Sequence, residues 1–509
     1  MADLKDLYLK AAQIDGKPGI YFVGPYGRRV SFASQQQRAL NTVWALEKAG
    51  KIAEGFDVAV IGGGLAGITA ATALAARKCA VWLYEKEPRV LNTQASTQHR
   101  YVHPSVNFWP ERAIDGTTQF PFYDWYEDIC SPVLARIHEE WVRYFKPQMT
   151  EVFAPATVTS VGLSNTGGDL AADRVRVQAT GSCPSTKEFD AAIFATGFGE
   201  EVAVEGCINA RYWTEDYLSE LCAAGGPVLV SGTGDGGLID ALRCVHRDFD
   251  FGRLCTELAN QLDHSSTKKK LQTLEKTVQE KAGTDDDKAA DLYAATYPEL
   301  LATTPLLVRE MLQRSLAPHP QPVRLVGRLS APYSLNAAPI HKLMVTHALA
   351  QGAIVYLKGK LRNGPILEID GQPDENLAGT TCVARHGATP PLGGILSDKE
   401  IEELKSRQQI LADLLHDPPY SNSEWHNWEA YPAREVTSTE FARFRLPLAS
   451  RYVMDKFHLR VALGLVNERP SYVIGVDPGG TTLTKALPLS LFGIPAISRP
   501  ASVIDEYAS

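Results

Sequence analysis

The stretch Phe56-Asp-Val-Ala-Val-Ile-Gly-Gly-Gly-Leu-Ala-Gly67 decides the fold. Residues 56–61 form an apolar run of strand-forming residues, bounded by the turn Gly62 to Gly67. The alanine-rich segment from Ile68 to Arg77 predicts a buried helix. Ala80-Val-Trp-Leu-Tyr84 predicts a second buried strand, ended by Glu85. Each glycine meets a steric need. Gly62 permits the sharp turn, Gly64 lets the backbone approach a pyrophosphate, and Gly67 lets the helix pack close to the sheet. A helix starting there presents unpaired N–H groups to phosphates, and Glu85 is placed to accept hydrogen bonds from a ribose. The uncharged run Val58 to Ala76 could pass for a membrane span, but three consecutive glycines are costly inside one helix. Strand, turn and buried helix are expected instead, and no membrane segment.

Downstream, Thr150 to Gly162 reads as one strand, followed by a strand at Arg174 to Gln178 and an apolar strand Phe189 to Gly197 that ends in Ala195-Thr196-Gly197. The chain then repeats itself in pattern. Pro227-Val-Leu-Val-Ser231 is a strand, Gly232-Thr-Gly-Asp-Gly-Gly237 is a second G-x-G-x-x-G turn, and Leu238 to His246 continues as a helix. The next strand, Val323 to Val326, follows only after a long helical stretch. A helix from Pro339 to Gln351, strands at 353–361, 366–369 and 381–385, and His386-Gly387 complete the second copy. The order helix, strand, strand, strand-to-glycine is a degenerate internal repeat. Strand 323–326 is therefore expected beside strand 227–231, in one sheet.

Gly62, Gly64, Gly67, Glu85 and Ala195-Thr196-Gly197 resemble the FAD domain of the flavoproteins with two dinucleotide-binding domains, the superfamily of glutathione-reductase-like enzymes and flavin monooxygenases. The resemblance covers about residues 56–200. It implies that Gly62, Gly64, Leu65, Ala66, Gly67 and Glu85 hold the ADP half of FAD, that Val158 contacts adenine through its backbone, and that Ala195, Thr196 and Gly197 run back towards the cofactor. It further implies that the second turn, Gly232, Gly234 and Gly237, belongs to an NAD(P)H domain. This chain departs from that pattern by its insertion, and Asp235 places a negative charge where phosphates would sit. Gly237 in the third slot leans towards NAD, while Arg324 and Arg328 could suit a 2′-phosphate. The second unit could equally be structural or bind another nucleotide.

Composition agrees with this frame. The chain has 509 residues, 44% hydrophobic and 22% charged, so it is globular and multidomain rather than disordered. A net charge of −8 gives no basic footprint for nucleic acid. The eight cysteines, at 79, 130, 183, 207, 222, 244, 255 and 382, include no C-x-x-C or C-x4-C pair, which argues against zinc, iron–sulfur and dithiol redox centres and against a disulfide reductase. Reduced thiols fit a cytoplasmic protein, and the polar N-terminus is not a signal peptide.

The expected fold class is α/β, with two Rossmann-type dinucleotide-binding domains, a helical insertion and a C-terminal cap region. The expected units are a helical lead-in at 1–55, an FAD-binding domain at 56–225, a second dinucleotide-binding-like domain at 226–390, and a C-terminal region at 391–509. The insertion, 252–315, reads as charged and helical. Its narrow stripe Leu271, Leu274, Val278 predicts a solvated helix leaning on the body. A Pro-Pro-Leu-Gly-Gly hinge at 390–394 opens the last region, which holds a helix from Asp398 to His416 and an aromatic polar loop at 420–431.

Three motifs invite other readings. Ala384-Arg-His-Gly-Ala-Thr389 resembles the opening of the histidine phosphatases, but it closes a repeat instead of beginning a domain. Gly475-Val-Asp-Pro-Gly-Gly-Thr-Thr482 looks like the phosphate loop of sugar kinases, but too little chain follows it. His138-Glu139-Glu140 lacks the second histidine of a zinc protease, so no metal site is expected. The donors for flavin chemistry are expected in Gln98-His-Arg-Tyr-Val-His-Pro104, where His99 or His103 could relay a proton and Arg100 could balance a reduced flavin's charge. The leading function is an FAD-dependent oxidoreductase, reduced by NAD(P)H and reoxidised by a small molecule or oxygen. The alternatives are a non-catalytic FAD or NAD sensor or scaffold, and an FAD oxidase that does not use nicotinamide. Oligomeric state is not encoded in these motifs.

Overall fold

The computed structural model describes residues 3–426, apart from 25, 28, 119, 146, 165–173, 209–210, 248, 250–252, 370–371, 390–391, 393–394, 413, 415–416 and 422, together with the backbone of 460–466, 469–476, 490–491 and 494–500. No described helix is long and apolar enough to cross a membrane.

The chain opens with α1 (Leu4–Ala12), β1 (Ile20–Phe22) and α2 (Phe32–Lys48). Then come β2 (Asp57–Ile61), α3 (Leu65–Ala76) and β3 (Ala80–Tyr84), the elements of the deciding stretch. A short ribbon of β4 (Tyr101–Val102) and β5 (Asp128–Ile129) leads to α4 (Cys130–Tyr144). The segment read as one strand from Thr150 to Gly162 is two, β6 (Thr150–Phe153) and β7 (Ala156–Ser164). The break falls at Ala154-Pro155, because proline has no N–H to offer a ladder. β7 forms an antiparallel sheet with β8 (Arg174–Gly181) and β9 (Thr186–Phe189), and β10 (Ala191–Phe194) returns to the main sheet. That sheet has the order β1-β10-β2-β3-β6, all parallel. The lead-in thus supplies an edge strand of the first unit as well as its helices.

After β11 (Glu200–Glu201) and α5 (Leu218–Ala223), the second unit begins with β12 (Val228–Ser231) and α6 (Asp235–Val245). The insertion is four helices, α7 (Arg253–Leu262), α8 (Ser266–Ala282), α9 (Asp286–Thr303) and α10 (Leu306–Ser315). β13 (Val323–Gly327), α11 (Pro339–Ala350), β14 (Ile354–Arg362), β15 (Ile366–Ile369), β16 (Glu375–Asn376) and β17 (Thr381–Ala384) follow. The sheet order is β16-β15-β14-β13-β12-β17. β12 pairs with β13 in parallel, Val230 opposite Leu325, so the long insertion is a crossover within one sheet. Within it, β17-β12-β13-β14 reproduces β10-β2-β3-β6 of the first unit, and the internal repeat is a repeat of topology. β18 (Ala388–Thr389) pairs antiparallel with β11, which joins the exits of the two units.

The two glycine turns share one steric logic. Gly62 has φ +106°, and a Cβ there would lie 2.5 Å from the Ala195 carbonyl oxygen. Gly232 has φ +133°, and a Cβ would lie 2.2 Å from the Arg385 carbonyl oxygen. A Cβ on Gly67 would sit 1.8 Å from the Gly62 oxygen, and one on Gly237 would sit 2.1 Å from the Gly232 oxygen. At Gly64 and Gly234, by contrast, a Cβ meets nothing within 4 Å. Both helices begin three residues earlier than their sequences predict, at Leu65 and Asp235, with Gly64 and Gly234 as N-caps. Glycine disfavours a helix interior, but packing of the third glycine onto the first overrides propensity.

The predicted helix over Ser31 to Ala49 is α2, opened by a capping box between Ser31 and Ser34. Its polar sequence is nonetheless buried from Ala33 to Leu46. Gln36 donates to the Tyr123 carbonyl oxygen and accepts from Trp125 Nε1, Gln37 donates to Tyr420 Oη, and Arg38 donates to the carbonyls of Gly24 and Tyr26. Buried amides that satisfy each other this way cost little. The C-terminal region packs on the same helices. α12 (Asp398–Ile410) places Gln408 against Ala11 and Tyr26, and Trp425 of α13 (Ser423–His426) lies under the Arg77 guanidinium. The predicted helix to His416 ends at Ile410. Most of the 390–394 hinge, residues 427–431 of the aromatic loop and residues 477–482 of the kinase-like motif lie outside the described residues. β19 (Arg460–Val466), β20 (Arg469–Val476), β21 (Ser490–Leu491) and β22 (Ile494–Pro500) form a sheet ordered β19-β20-β22-β21.

The insertion is built into the second unit's core, contrary to the expected solvated helix. Leu271, Leu274 and Val278 are buried, and so is Glu275 between them. The Glu275 carboxylate accepts from Arg29 Nη2 at 2.5 Å, Tyr293 Oη at 3.0 Å and Lys342 Nζ at 3.2 Å. One carboxylate therefore ties α8 to the lead-in, to α9 and to α11. Glu275→Ala would leave two buried cations short of a partner, and should cost about 3–5 kcal/mol. Chemical denaturation measures this, and a loss near 0.5 kcal/mol, usual for surface changes, would contradict a docked insertion. Gly67→Ala should destabilise by about 3 kcal/mol or more through its collision with Gly62. Gly64→Ala, at φ −72° in open space, should stay within about 0.5 kcal/mol.

Candidate functional site

Both glycine turns open onto one cavity of about 1250 Å³. That exceeds the roughly 300–1,000 Å³ usual for a single small-molecule pocket. From the first unit, Gly62, Gly64, Leu65, Ala66, Glu85, Val158, Ala195, Thr196 and Gly197 line it, and from the second, Gly232, Gly234 and Gly237. Gly67 stays behind, under the turn, where it makes the close contact that holds the others in place. Every other cofactor-binding residue expected from the sequence, drawn from five separate segments, meets at this cavity.

The turn at 62–67 fits a dinucleotide. Open space at Gly64 leaves room for a phosphate against the backbone, and the first turn of α3 aims its unpaired N–H groups there. Glu85 is buried, and its carboxylate accepts from Gly63 N at 2.5 Å and from Glu87 N at 2.7 Å. These bonds fix it at the cavity wall, where remaining lone pairs can receive ribose hydroxyls.

The three candidates for chemistry separate. Arg100 donates from Nη1 to Asp240 at 2.6 Å and from Nε to the Tyr212 carbonyl at 3.0 Å, and its guanidinium stacks 3.9 Å from the Tyr212 ring centre. It lines the cavity but is committed to an ion cluster, so it is not a spare charge for a flavin. His103 Nδ1 accepts from both Ser105 N and Val106 N at 3.0 Å, and its Nε2 lies 3.2 Å from Glu127. Two backbone donors on Nδ1 fix the proton on Nε2, and burial lowers this histidine's pKa. It is a structural anchor for the 103–106 turn. His99 is different. Neither ring nitrogen has a hydrogen-bond partner, although the side chain is buried at the cavity wall. Glu215 lies 3.4 Å from its Nδ1, while burial and then Arg100 lower its pKa. His99, Glu215 and Asp216 bring ligand atoms within 4.8 Å of one another. Both Asp216 oxygens are taken by Arg243, at 2.8 and 2.9 Å, so the donor set does not fit a cation.

The second turn carries its own charges. Arg328 follows β13 directly, as Glu85 follows β3, and lines the cavity with Lys360 and His386. His386 shares a hydrogen bond of 2.8 Å with Ser231 Oγ, and burial, then Arg328 and Lys360, keep its pKa low. Arg324, the other candidate for a phosphate, points away from the cavity and pairs with Glu375 at 2.8 and 2.5 Å. It lies nearer the start of β13, away from the cavity end of the strand. Sequence reasoning missed Tyr212, Asp216, Asp240, Arg243 and Arg385, which close the wall between the turns. Arg385 follows β17 where Ala195 follows β10, and that correspondence was the available signal.

Comparison with known proteins follows the same lines. Residues 56–239 match the model of the pyridine nucleotide-disulphide oxidoreductase family. No curated protein matches the chain. Among solved structures, the bacillithiol disulfide reductase of Staphylococcus aureus is similar at 12% identity, over 67% of this chain and 80% of that one, with a TM-score of 0.38. Thioredoxin reductase of Lactococcus lactis gives 14% identity over 65% and 77%, with a TM-score of 0.31. A cyclohexanone monooxygenase mutant from a Rhodococcus species gives 12% over 67% and 74%, with a TM-score of 0.35. The cavity fits FAD along its first turn. Residues 56–239 thus carry the match to the pyridine nucleotide-disulphide oxidoreductase family, and the second sheet repeats the strand order of the first.

Proposed function

We propose that this protein is an FAD-dependent oxidoreductase whose flavin is reduced by NADPH and reoxidised by a small molecule or oxygen. The observation that carries the reading is two equivalent glycine turns facing one cavity. FAD would supply the hydride-accepting and electron-releasing chemistry. Leu65 and Ala66 at the start of α3 would donate N–H groups to its pyrophosphate beside Gly62 and Gly64. Glu85 would hold the ribose, Val158 would meet adenine through its backbone, and Ala195 to Gly197 would bound the far end. Gly232, Gly234 and Gly237 would seat the nicotinamide nucleotide. Arg328 in the position of Glu85, with Lys360 beside it, favours a 2′-phosphate over a free ribose, since guanidinium recognises phosphate by paired donors. His99 is the group we assign to proton handling, because it alone of the three candidates has both ring nitrogens without a hydrogen bond. Glu215, more exposed, would connect it with solvent. A cytoplasmic location belongs to this reading, on the free thiols.

A second reading is an oxidase whose second unit only shapes the pocket. Asp235 favours it, since this carboxylate stands at the first position of α6, where a pyrophosphate would approach.

The deciding experiment is anaerobic. Purified protein should be yellow, and NADPH should remove the oxidised-flavin absorption faster than NADH does. No loss with either nucleotide would favour the oxidase or a non-catalytic role. Gly64→Val should give colourless protein, since its side chain enters the phosphate space while the fold persists. Arg328→Ala should weaken NADPH binding about tenfold or more, the value of one charge-assisted hydrogen bond, and leave NADH unchanged. Equal effects on both nucleotides would remove the 2′-phosphate assignment.

A further inference from the structure

Buried polar atoms without a partner are rare in a folded protein, and several of them line this one cavity. Among the described residues they include both ring nitrogens of His99 and Oε2 of Glu201. Glu201 sits on β11, opposite Ala388 of β18, in the two-stranded ribbon that joins the exits of the two units. Val202 N donates to the Gly387 carbonyl oxygen at 3.2 Å and closes the end of that ribbon. Successive strand residues point to opposite faces, and the two neighbouring glutamates of β11 have opposite surroundings. Glu200 is half exposed, 2.6 Å from Arg211 Nε and 3.7 Å from Lys86 Nζ. Glu201 turns inward, and its buried oxygen meets no donor.

The charged groups facing Glu201 are Arg385 after β17, Asp240 on α6 and Arg100 before β4. All three belong to a buried ion cluster in which three guanidiniums, of Arg100, Arg243 and Arg385, meet two carboxylates, of Asp216 and Asp240. Three cations against two anions leave one positive charge in surplus. The remaining titratable neighbour along the ribbon, His386 before β18, is engaged with Ser231 Oγ at 2.8 Å. Two opposing effects act on the Glu201 carboxyl. Burial raises its pKa, Arg385 lowers it, and burial prevails. The group thus keeps its proton to a higher pH than an ordinary glutamic acid does. Once the proton has left, the surplus charge of the cluster stabilises the carboxylate. A neutral acid whose conjugate base is provided for is what a proton donor requires. The ribbon and the cluster both bridge the units, so this carboxyl stands where the two units meet.

We propose that Glu201 is the proton donor to the acceptor that reoxidises the flavin. This rests on the oxidoreductase reading above and adds to it the group that completes the second half-reaction. The acceptor A is one whose reduced atom, an oxygen or a nitrogen, must gain a proton. Reduced flavin passes two electrons and one proton to A, as a hydride. The O–H bond of Glu201 breaks, and its proton goes to A, giving AH₂. The carboxylate left behind faces the cluster and recovers a proton from solvent. The balance is FADH⁻ plus A plus H⁺ giving FAD plus AH₂.

The test uses the full-length protein, its flavin reduced without oxygen by stoichiometric dithionite, and two acceptors. A water-soluble benzoquinone takes up protons on reduction, whereas ferricyanide takes electrons alone. Glu201→Gln should slow flavin reoxidation by the quinone roughly a hundredfold, the usual worth of general acid catalysis, and leave reoxidation by ferricyanide as it was. Glu201→Asp should recover part of the quinone rate. In the wild type the quinone rate should fall as pH rises through the titration of this carboxyl, above the ordinary value near 4.3, and the ferricyanide rate should not. Equal slowing of both acceptors by the glutamine, or a quinone rate that ignores both the substitution and the pH, would overturn the proposal. The wild-type contrast between acceptors decides the matter even if a variant does not fold. A second measurement needs no turnover. At pH 6 an ordinary glutamic acid is only about 2% protonated. The infrared difference between wild type and Glu201→Gln at that pH should show the carbonyl stretch of a neutral carboxylic acid. Colourless protein would overturn the oxidoreductase reading and the donor role with it, while yellow protein without the infrared band would overturn the donor role alone.

Discussion

Five charged side chains, removed almost wholly from water, hold the two units in register. Arg100 comes from the first unit, Asp216 from the connection, Asp240 and Arg243 from α6, and Arg385 from the end of β17. Asp240 accepts from Arg100 at 2.6 Å and from Arg385 at 2.7 Å, while Asp216 takes a two-pronged contact from Arg243. The cluster cannot be assembled in parts. Each carboxylate is surrounded by cations from different elements, and either one left alone at that depth would be costly. Burial by itself would raise the Asp240 pKa, and the three arginines drive it far below the usual carboxylate range instead. The shared cavity follows from this arrangement, because the cluster fixes the angle at which the two turns face each other.

What the sequence disclosed, and what it withheld, divides along one physical line. The glycines were legible because their requirements are local and steric: no other residue fits beside the Ala195 and Gly62 carbonyls. The strand order of the second unit was legible because β12 and β13 must bury their apolar runs in one sheet, whatever lies between them. The ion cluster was not legible, since arginines and aspartates far apart in the chain carry no mark of future burial. Gln35, Gln36 and Gln37 gave the opposite signal to their fate. A run of amides reads as surface, and only the tertiary partners Tyr123, Trp125 and Tyr420 turn it into core. Glu275 misled in the same way, inside a stripe of apolar residues too narrow to announce a docked helix.

The candidate site was legible to the extent that chemistry follows backbone. Glycines, Glu85 and the Ala195 to Gly197 segment could be named because they serve the backbone's approach to a ligand. The roles of Arg100, His99 and His103 could not be ranked from sequence, because the three differ only in who their partners are. Arg100 is committed to Asp240, and His103 to two backbone N–H groups and Glu127. His99 alone of the three keeps both ring nitrogens without a hydrogen bond.

The repeat makes the differences between its two copies informative. Equivalent positions hold Glu85 and Arg328, Leu65 and Asp235, and Ala195 and Arg385. In each pair the charge differs: an acid in the first copy gives way to a base in the second, and two apolar residues of the first are replaced by an acid and a base. These substitutions are connected in space. Arg385 feeds the cluster that joins the units, Arg328 faces the cavity beside Lys360, and Asp235 is engaged by His341. A duplicated turn that kept all three glycines while changing the charge at three positions has preserved its backbone geometry and changed its electrostatics. The insertion enters at the same place, between α6 and β13, and its first helix sets Cys255 beside the changed turn. The second unit therefore differs from the first by a coherent set of residues around one mouth of the cavity, as expected where a copied scaffold holds a different ligand.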